Sequence, residues 1–351
     1  MKLAELLQKE NNNLDVFRLA AACFVIYGHA YAIAPQPGHS DIVARMLGHD
    51  YSGSLAVKVF FFLSGLVVTN SLLQKQRVVD FVIARVFRIW PGLIFVVILA
   101  SILLGPLVTD SSLQDYWSRP QTYRYVWDNI QLKTTYYLPG VFLGLPHPSA
   151  VNGSLWTLPH EVGAYLTLLG MFMVGIFRSR MLVLAVFLIF LVDPLTGNKL
   201  LFTWRPVHLE LDLLAPCFAM GSVFAAFKEQ LELRAGTLIG WLLLYALFRS
   251  SAYGFYLFYV TLFWFILTLS AQPWMLKLKP KIDVSYGVYL WGFPVQQVIV
   301  MYFPDMGTRF NQLASLALAL GLGWLSWHVV EKHGIAMGQR LIGWVRTRAL
   351  A

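Results

Sequence analysis

An aspartate, an arginine and a histidine stand in the first long apolar segment of this 351-residue sequence, which covers 14–34. They are Asp15, Arg18 and His29. An ionisable group inside a membrane span is costly, so each is a functional candidate. Eleven residues separate Arg18 from His29, which in an α-helix is three turns plus about 20°, or about 16 Å along the axis. One helix face is therefore expected to present a cation near one membrane surface and an imidazole near the other.

A carboxylate partner for His29 is offered by Glu161, which follows Pro159 near the outer start of the apolar segment 155–177. Proline fits the first turn of a helix, so Glu161 is expected at a depth similar to that of His29. A carboxylate beside an imidazole stabilises the imidazolium, and such a pair can deprotonate a hydroxyl group. We interpret His29 and Glu161 as candidate catalytic residues, with His160 a minor candidate. A histidine that only satisfies a neighbouring helix is the alternative.

Arginines form a second group of candidates, near the inner membrane surface. Arg18 is expected at the same depth as Arg85 and Arg88, and the last two share a helix face through their i, i+3 spacing. Each could extend to the surface and stay solvated. Three guanidiniums with few acidic neighbours nevertheless favour an anionic ligand, because arginine forks match phosphate oxygens. Glu331 is expected to pair with one of these arginines.

Other catalytic and binding signatures are absent from the sequence. It has no nucleophile elbow, no glycine-rich phosphate loop and no metal-spaced cluster, so no metal site is predicted. Ser64 and Gly65, taken by themselves, predict a small-residue contact between helices. The net charge of +9 suits the cytoplasmic loops of a membrane protein, so nucleic acid is not an expected partner.

The composition predicts an all-α polytopic membrane protein. Only 13% of residues are charged and 58% are hydrophobic, whereas soluble domains carry about 25% charged residues. We predict about ten transmembrane helices, and the distribution of lysine and arginine places both termini in the cytoplasm. Residues 1–351 are treated as a single integral membrane domain with an outer insertion at about 105–153, whose aromatic residues suit either a sugar-binding surface or an interfacial belt. The predicted segments are 14–34, 54–73, 81–104, 155–177, 181–195, 210–227, 236–249, 254–271, 283–303 and 310–331.

Over nearly its whole length the chain resembles the acyltransferase-3 family of membrane acyltransferases. Each motif is weak alone, but their order and spacing together are specific. The chain departs from the family pattern at Gly292-Phe293-Pro294, where members often carry a histidine before x-Pro, so no second proton carrier is expected there. The matching motifs are Leu14-Asp15 with Arg18 and His29, Phe61-Phe62 with Ser64-Gly65, Arg85 with Arg88, Ser154 to Glu161, Ser285 to Leu290, and Val330-Glu331.

The resemblance implies an enzyme of the bacterial cytoplasmic (inner) membrane. It would move an acyl group, usually acetyl, from cytoplasmic acetyl-CoA to a hydroxyl of an extracytoplasmic carbohydrate or glycolipid, with membrane lipids as its other partners. The pantetheine arm of the donor would pass Ser64 and bring the thioester near His29, which acts as a base or is itself acylated. The residues implied are Arg18, Arg85, Arg88 and Ser64 for the acyl-CoA donor, Asn152, Ser154 and Trp156 for the substrate, and His29 and Glu161 for catalysis.

The main alternative is a secondary transporter of an anionic metabolite, which would use the same arginines without acyl chemistry. Such folds often show matched inverted repeats, and the two halves of this sequence show no such match. A non-catalytic membrane scaffold would give no reason for three arginines at one depth. The acceptor is left open between a cell-surface polysaccharide, a lipid-linked intermediate, a peptidoglycan sugar and a small molecule such as a macrolide.

Overall fold

A computed structural model describes residues 1–48, 50–192, 213–251 and 253–348 of the chain. Helices dominate these residues, and no strand is present among them. The all-α class is therefore confirmed. The longer helices, labelled in chain order, are α1 (Leu14–Ile33), α2 (Ser52–Lys75), α3 (Val78–Leu99), α4 (Pro120–Ile130), α5 (Thr157–Met173), α6 (Arg180–Val192), α7 (Leu214–Ala226), α8 (Ala235–Phe248), α9 (Gly254–Ser270), α10 (Ser285–Tyr302), α11 (Gly307–Ser326) and α12 (Lys332–Arg348).

Each of the ten predicted segments corresponds to one of these helices, although the end of 181–195 and the start of 210–227 lie outside the described residues. Among the residues that the structure describes, four helical stretches are long and apolar enough to cross a membrane, namely Leu14–Ile33, Ser52–Lys75, Val78–Val108 and Pro304–Arg348. The number of crossings, ten, and the cytoplasmic position of both termini stay predictions.

The two longest stretches are continuous because a π-helical turn joins successive α-helices. Ala100–Leu104 links α3 to Gly105–Val108, and Trp327–Glu331 links α11 to α12. A π turn inserts one extra residue per turn and is frequent at functional sites. The second turn ends at Glu331, one of the acidic residues singled out in the sequence.

The chain divides into two compact units. The first contains Met1–Ala21, Val57–Gln76 and Ala164–Ile282, and the second contains Ala22–Ala56, Arg77–Gly163 and Asp283–Ala351. That residues 1–351 act as one domain stays a prediction.

In the first unit, α2 and α7 meet with their backbones in direct contact. A Cβ on Gly65 would collide with the carbonyl oxygen of Phe218, and one on Gly221 would collide with that of Phe62. Close approach of this kind is the use that membrane helices make of small residues. A hydrogen bond of 2.9 Å from the Thr69 hydroxyl to Ser222 Oγ joins the same two helices. Gly65 of the Phe-Phe-x-x-Ser-Gly motif is therefore a packing residue.

In the second unit, α10 is buried on nearly every side. Side-chain hydrogen bonds attach it to its neighbours at several levels. Tyr286 donates to the carbonyl oxygen of Ile89 in α3 at 2.9 Å, and Gln296 donates to that of Ile26 in α1 at 2.8 Å. Such bonds satisfy polar groups that would be costly to leave unpaired in an apolar interior. These hydrogen bonds fix the positions of α1 and α3 along the axis of α10.

The insertion 105–153 is folded and carries its own buried aromatic residues. The Tyr116 hydroxyl donates to the carbonyl oxygen of Ser101 at 2.7 Å, and burial raises the pKa of Tyr116 to about 12. Tyr125 is fully buried beside it, and burial raises its pKa further. Tyr123, Trp127 and Tyr137 are exposed. Part of the aromatic content of the insertion is therefore core, and only the rest is available to a ligand or to the membrane interface.

The backbone contact between α2 and α7 leads to a stability prediction. Gly65→Ala and Gly221→Ala should each lower the free energy of unfolding by about 1–3 kcal/mol, because the added methyl group forces two backbones apart. Thermal unfolding of the detergent-solubilised protein, followed by circular dichroism, measures this. Gly170→Ala in α5 is the control, since a Cβ there meets nothing within 4 Å. Equal stability of all three variants and the parent would contradict the assigned contact.

Candidate active site

His29 lies in the C-terminal half of α1, in the second unit. Its ring makes an edge-to-face contact with Phe293 of α10, with the centroids 5.5 Å apart and the planes at 78°. Its Nδ1 atom is buried and has no hydrogen-bond partner among the described residues. A buried polar atom without a partner is rare and needs an explanation, one of which is a catalytic role. The imidazole is thus held by packing, and the described residues leave its Nδ1 atom without a hydrogen bond.

A second histidine, His147 of the insertion 105–153, packs against the same Phe293 ring. Its ring is 5.6 Å from the Phe293 ring, also edge to face. The two imidazoles are near enough to interact electrostatically. His147 is half-buried, and this burial lowers its pKa. The sequence interpretation overlooked His147 because it follows no motif spacing; the one local signal is its position between Pro146 and Pro148, which restrict the backbone.

The position of His147 is fixed through its backbone by α10. The Gln297 side-chain amide donates to the carbonyl oxygens of His147 at 2.7 Å and Ala150 at 2.8 Å. Ala150 belongs to a small buried cluster that also contains Ile33 and Phe293. Gln297 is itself fully buried. The loop that carries His147 is therefore held against α10 by hydrogen bonds and apolar packing.

Glu161 lies in the first turns of α5, as Pro159 predicted, and is half-buried. It lies within electrostatic reach of Arg88. The expected pairing of Glu161 with His29 is not among the described hydrogen bonds and ion pairs and stays a prediction. His160, the minor candidate, has its ring 5.8 Å from that of Trp156.

Arg88 is bound by two carboxylates of the second unit. Its Nη2 atom is 2.7 Å from Asp283 Oδ2, and its Nη1 atom is 3.5 Å from Glu331 Oε2. The guanidinium also lies over the ring of Tyr286, at 5.6 Å. The expected pairing of Glu331 with an inner arginine is confirmed. The premise that these arginines have few acidic neighbours is wrong for Arg88, because chain segments distant in sequence supply them.

The other donor-side candidates have distinct surroundings. Arg85, half-buried, precedes Arg88 by one turn of α3. Arg18 forms an ion pair of 3.2 Å with Asp15 in the first turn of α1 and belongs to the first unit. Ser64, also in the first unit, is hydrogen-bonded to the Tyr165 hydroxyl at 2.8 Å. A common depth of Arg18, Arg85 and Arg88 and the passage of a donor beside Ser64 stay predictions.

The segment before α5 is attached to α10. Asn152 caps the 3-10 turn Gly153–Trp156 by accepting from the Ser154 N–H at 3.1 Å, and its amide donates to the Leu290 carbonyl oxygen at 2.9 Å. The Tyr289 hydroxyl donates to the Ser154 carbonyl oxygen at 2.7 Å. Both ends of the fully buried Asn152 amide are thus engaged by the protein. Ser154 Oγ is buried without a partner among the described residues, and Trp156 is half-buried.

Three sets of contacts therefore follow one another along the axis of α10 in the second unit. Arg88 meets Asp283 and Tyr286 at the start of the helix. His29 and His147 meet Phe293. Seven residues of α-helix separate Tyr286 from Phe293, or about 10 Å along the axis. A cationic level and an imidazole level thus lie on one helix, with the Asn152 and Ser154 contacts between them.

A cavity of about 470 Å³ opens elsewhere in the second unit, beside Tyr27 and Tyr31 of α1 and near Arg45 and Arg309. The two tyrosine hydroxyls are hydrogen-bonded to each other at 2.8 Å. Each tyrosine is two residues from His29, so both lie about 160° away from it around the helix. This cavity is therefore not where His29 would act.

Comparison with known proteins gives one family and two relatives. Residues 11–328 match the family described as acyltransferase domain. The chain is 28% identical over 341 residues to the O-acetyl transferase of Shigella phage Sf6, covering 92% of this chain and 96% of that protein. It is 33% identical over 162 residues to nodulation protein 10 of Rhizobium leguminosarum bv. viciae, covering 45% of this chain and 43% of that protein. No solved structure matches significantly. With nearly its whole length matched, the chain belongs to the acyltransferase-3 family.

Proposed function

We propose that this protein is an O-acetyltransferase of the bacterial inner membrane. It moves an acetyl group from cytoplasmic acetyl-CoA to a hydroxyl of an extracytoplasmic carbohydrate, such as a cell-surface polysaccharide. Family membership supports acyl transfer, and similarity to a phage O-acetyl transferase over nearly both chains supports an oxygen acceptor. The observation that carries the proposal is the buried, unpartnered nitrogen of His29.

His29 is the proton carrier in this proposal. As the acceptor oxygen bonds to the acetyl carbon, His29 receives the proton that the hydroxyl loses. The carbon–sulfur bond then breaks, and His29 delivers that proton to the leaving sulfur, so no proton is gained or lost overall. A positioned base of this kind typically contributes 10²–10⁴-fold to a rate. Acetyl-CoA would supply the acetyl group in an activated thioester.

The donor would be held at the cationic level of the second unit. Arg88 is already bound by two carboxylates, which leaves it less charge to offer a phosphate group. Arg85 lies one turn earlier on the same helix face, and we assign it a contact with the donor phosphates beside Arg88. Arg88 would hold α3 at the height along α10 that puts Arg85 in reach of the donor.

The acceptor would enter from the side of the insertion. His147 and the exposed aromatic residues Tyr123, Trp127 and Tyr137 all belong to it. Aromatic faces pack on sugar rings, which favours a carbohydrate over a small apolar acceptor. Asn152 would act by shaping the site, since its own amide is engaged, whereas Trp156 and the unpartnered Ser154 hydroxyl would face the substrate.

Removal of the His29 imidazole tests the reaction. In cells that produce the His29→Ala protein, ester-linked acetyl on surface polysaccharide should fall at least 100-fold, because the proton carrier is lost. Nuclear magnetic resonance of purified polysaccharide measures the acetyl content, and immunoblotting checks protein level. His333→Ala, on an exposed part of α12, is the control and should retain the parent's acetylation. Full acetylation by His29→Ala would contradict the mechanism.

Removal of the Arg85 guanidinium tests the donor assignment. Arg85→Ala should weaken acetyl-CoA binding by the purified protein about tenfold or more, since a hydrogen bond to a charged group is worth about 1.5–3 kcal/mol. Isothermal titration calorimetry measures the Kd. Arg124→Ala, an exposed arginine of α4, is the matched control. If Arg85→Ala and Arg124→Ala bind acetyl-CoA with the same Kd as the parent, Arg85 is a packing residue.

A further inference from the structure

The two imidazoles of the second unit share one aromatic ring. His29 contacts one part of Phe293 and His147 another, at centroid distances of 5.5 and 5.6 Å. One histidine comes from a membrane helix and the other from the outer insertion, 118 positions later in the sequence. The hydrogen bonds from Gln297 to the His147 and Ala150 carbonyl oxygens hold the second ring in place. The two histidines are thus brought to one ring by tertiary contacts between segments distant in the sequence.

Neither imidazole forms a hydrogen bond within the part of the chain that the structure describes. None of the described hydrogen bonds involves a ring nitrogen of His29 or of His147, and His29 Nδ1 is buried. The two side chains are both half-buried but come from different elements: His29 belongs to α1, whereas His147 belongs to a loop of the insertion. An acceptor that arrives from the insertion side would therefore meet His147 first, and a donor that arrives along the helices would meet His29.

We propose that His147 is the second proton-transfer residue of the reaction and receives the acceptor's proton before His29 does. This inference rests on the proposed O-acetyl transfer. The acceptor hydroxyl gives its proton to a ring nitrogen of His147 while its oxygen bonds to the acetyl carbon. His147 then passes that proton to His29. His29 delivers it to the sulfur as the carbon–sulfur bond breaks, and both imidazoles end neutral.

Electrostatics are consistent with this sequence of steps. Interacting imidazoles disfavour the doubly charged state, so the pair carries at most the one proton that is in transfer. Burial lowers the pKa of His147, which keeps its ring neutral and able to accept a proton near neutral pH.

His147→Ala tests the assignment in purified protein. The assay uses radiolabelled acetyl-CoA and surface polysaccharide that mild alkali has freed of its esters. Transfer should fall about 100-fold, while the Kd for acetyl-CoA stays that of the parent. Added imidazole should restore transfer, and a series of substituted imidazoles should restore it more strongly as their pKa rises. A residue that only fills space would show no such trend. His39→Ala, an exposed outer histidine, is the control.

Every outcome bears on the proposal. Full transfer by His147→Ala overturns it. Lost transfer that no imidazole restores, or restores without a pKa trend, also overturns it, because the role is then structural. His147→Gln keeps the size and polarity of the side chain, so it covers the case in which the alanine variant fails to fold. Full activity of the glutamine variant would likewise overturn the assignment. If the parent protein itself transfers no acetyl group, the proposed function has failed as well.

Discussion

The guanidinium of Arg88 lies among helices that have the composition of membrane spans, and such a charge requires compensation. Asp283 and Glu331 provide it, and the Glu331 side chain is only 1% exposed. Removing one partner of a buried ion pair is far more costly than the pair is worth, because it leaves an unpaired charge. Three segments are therefore tied at one point: α3, the start of α10 and the π turn before α12.

That attachment gives α10 a fixed height, and the other contacts of the second unit follow from it. Gly287 leaves room for the Glu331 carboxylate and for the close approach of Gly323 on α11. Further along α10, Asn152 and Tyr289 attach the segment before α5, and Gln297 attaches the insertion. The histidines then meet at Phe293, about 10 Å beyond the cationic level. The rise of α10 therefore sets the distance between the arginines proposed to hold the donor phosphates and the histidines proposed to carry the proton.

Much of the fold was predictable from the sequence because long apolar segments carry a strong local signal. Each of the ten segments contains a helix over its described residues, and Pro159 lies in the first turn of α5 as its missing N–H requires. The motif residues His29 and Arg88 also have ionisable neighbours: His147 for His29, and the Asp283 and Glu331 carboxylates for Arg88. Less predictable were the π turns, since they add a residue to a helix without changing its composition.

Partnerships across long sequence separations could not be predicted. The carboxylates of Arg88 follow it by 195 and 243 positions, and no periodicity relates them. His147 carries no motif, so only the tertiary contact with Phe293 identifies it. Ser64 and Gly65 are adjacent in one motif, yet Gly65 packs against α7 while Ser64 bonds to Tyr165. Chemistry-bearing residue types could be recognised in the sequence, but what surrounds each of them depends on the fold.

The most direct test of the account asks from which side the acetyl group comes. Right-side-out membrane vesicles are loaded with radiolabelled acetyl-CoA, and alkali-treated surface polysaccharide is supplied only outside. Label should appear on the external polysaccharide with the parent protein and should be absent with His29→Ala. Label that appears only when acetyl-CoA is supplied outside, or equally with His29→Ala, would contradict the account.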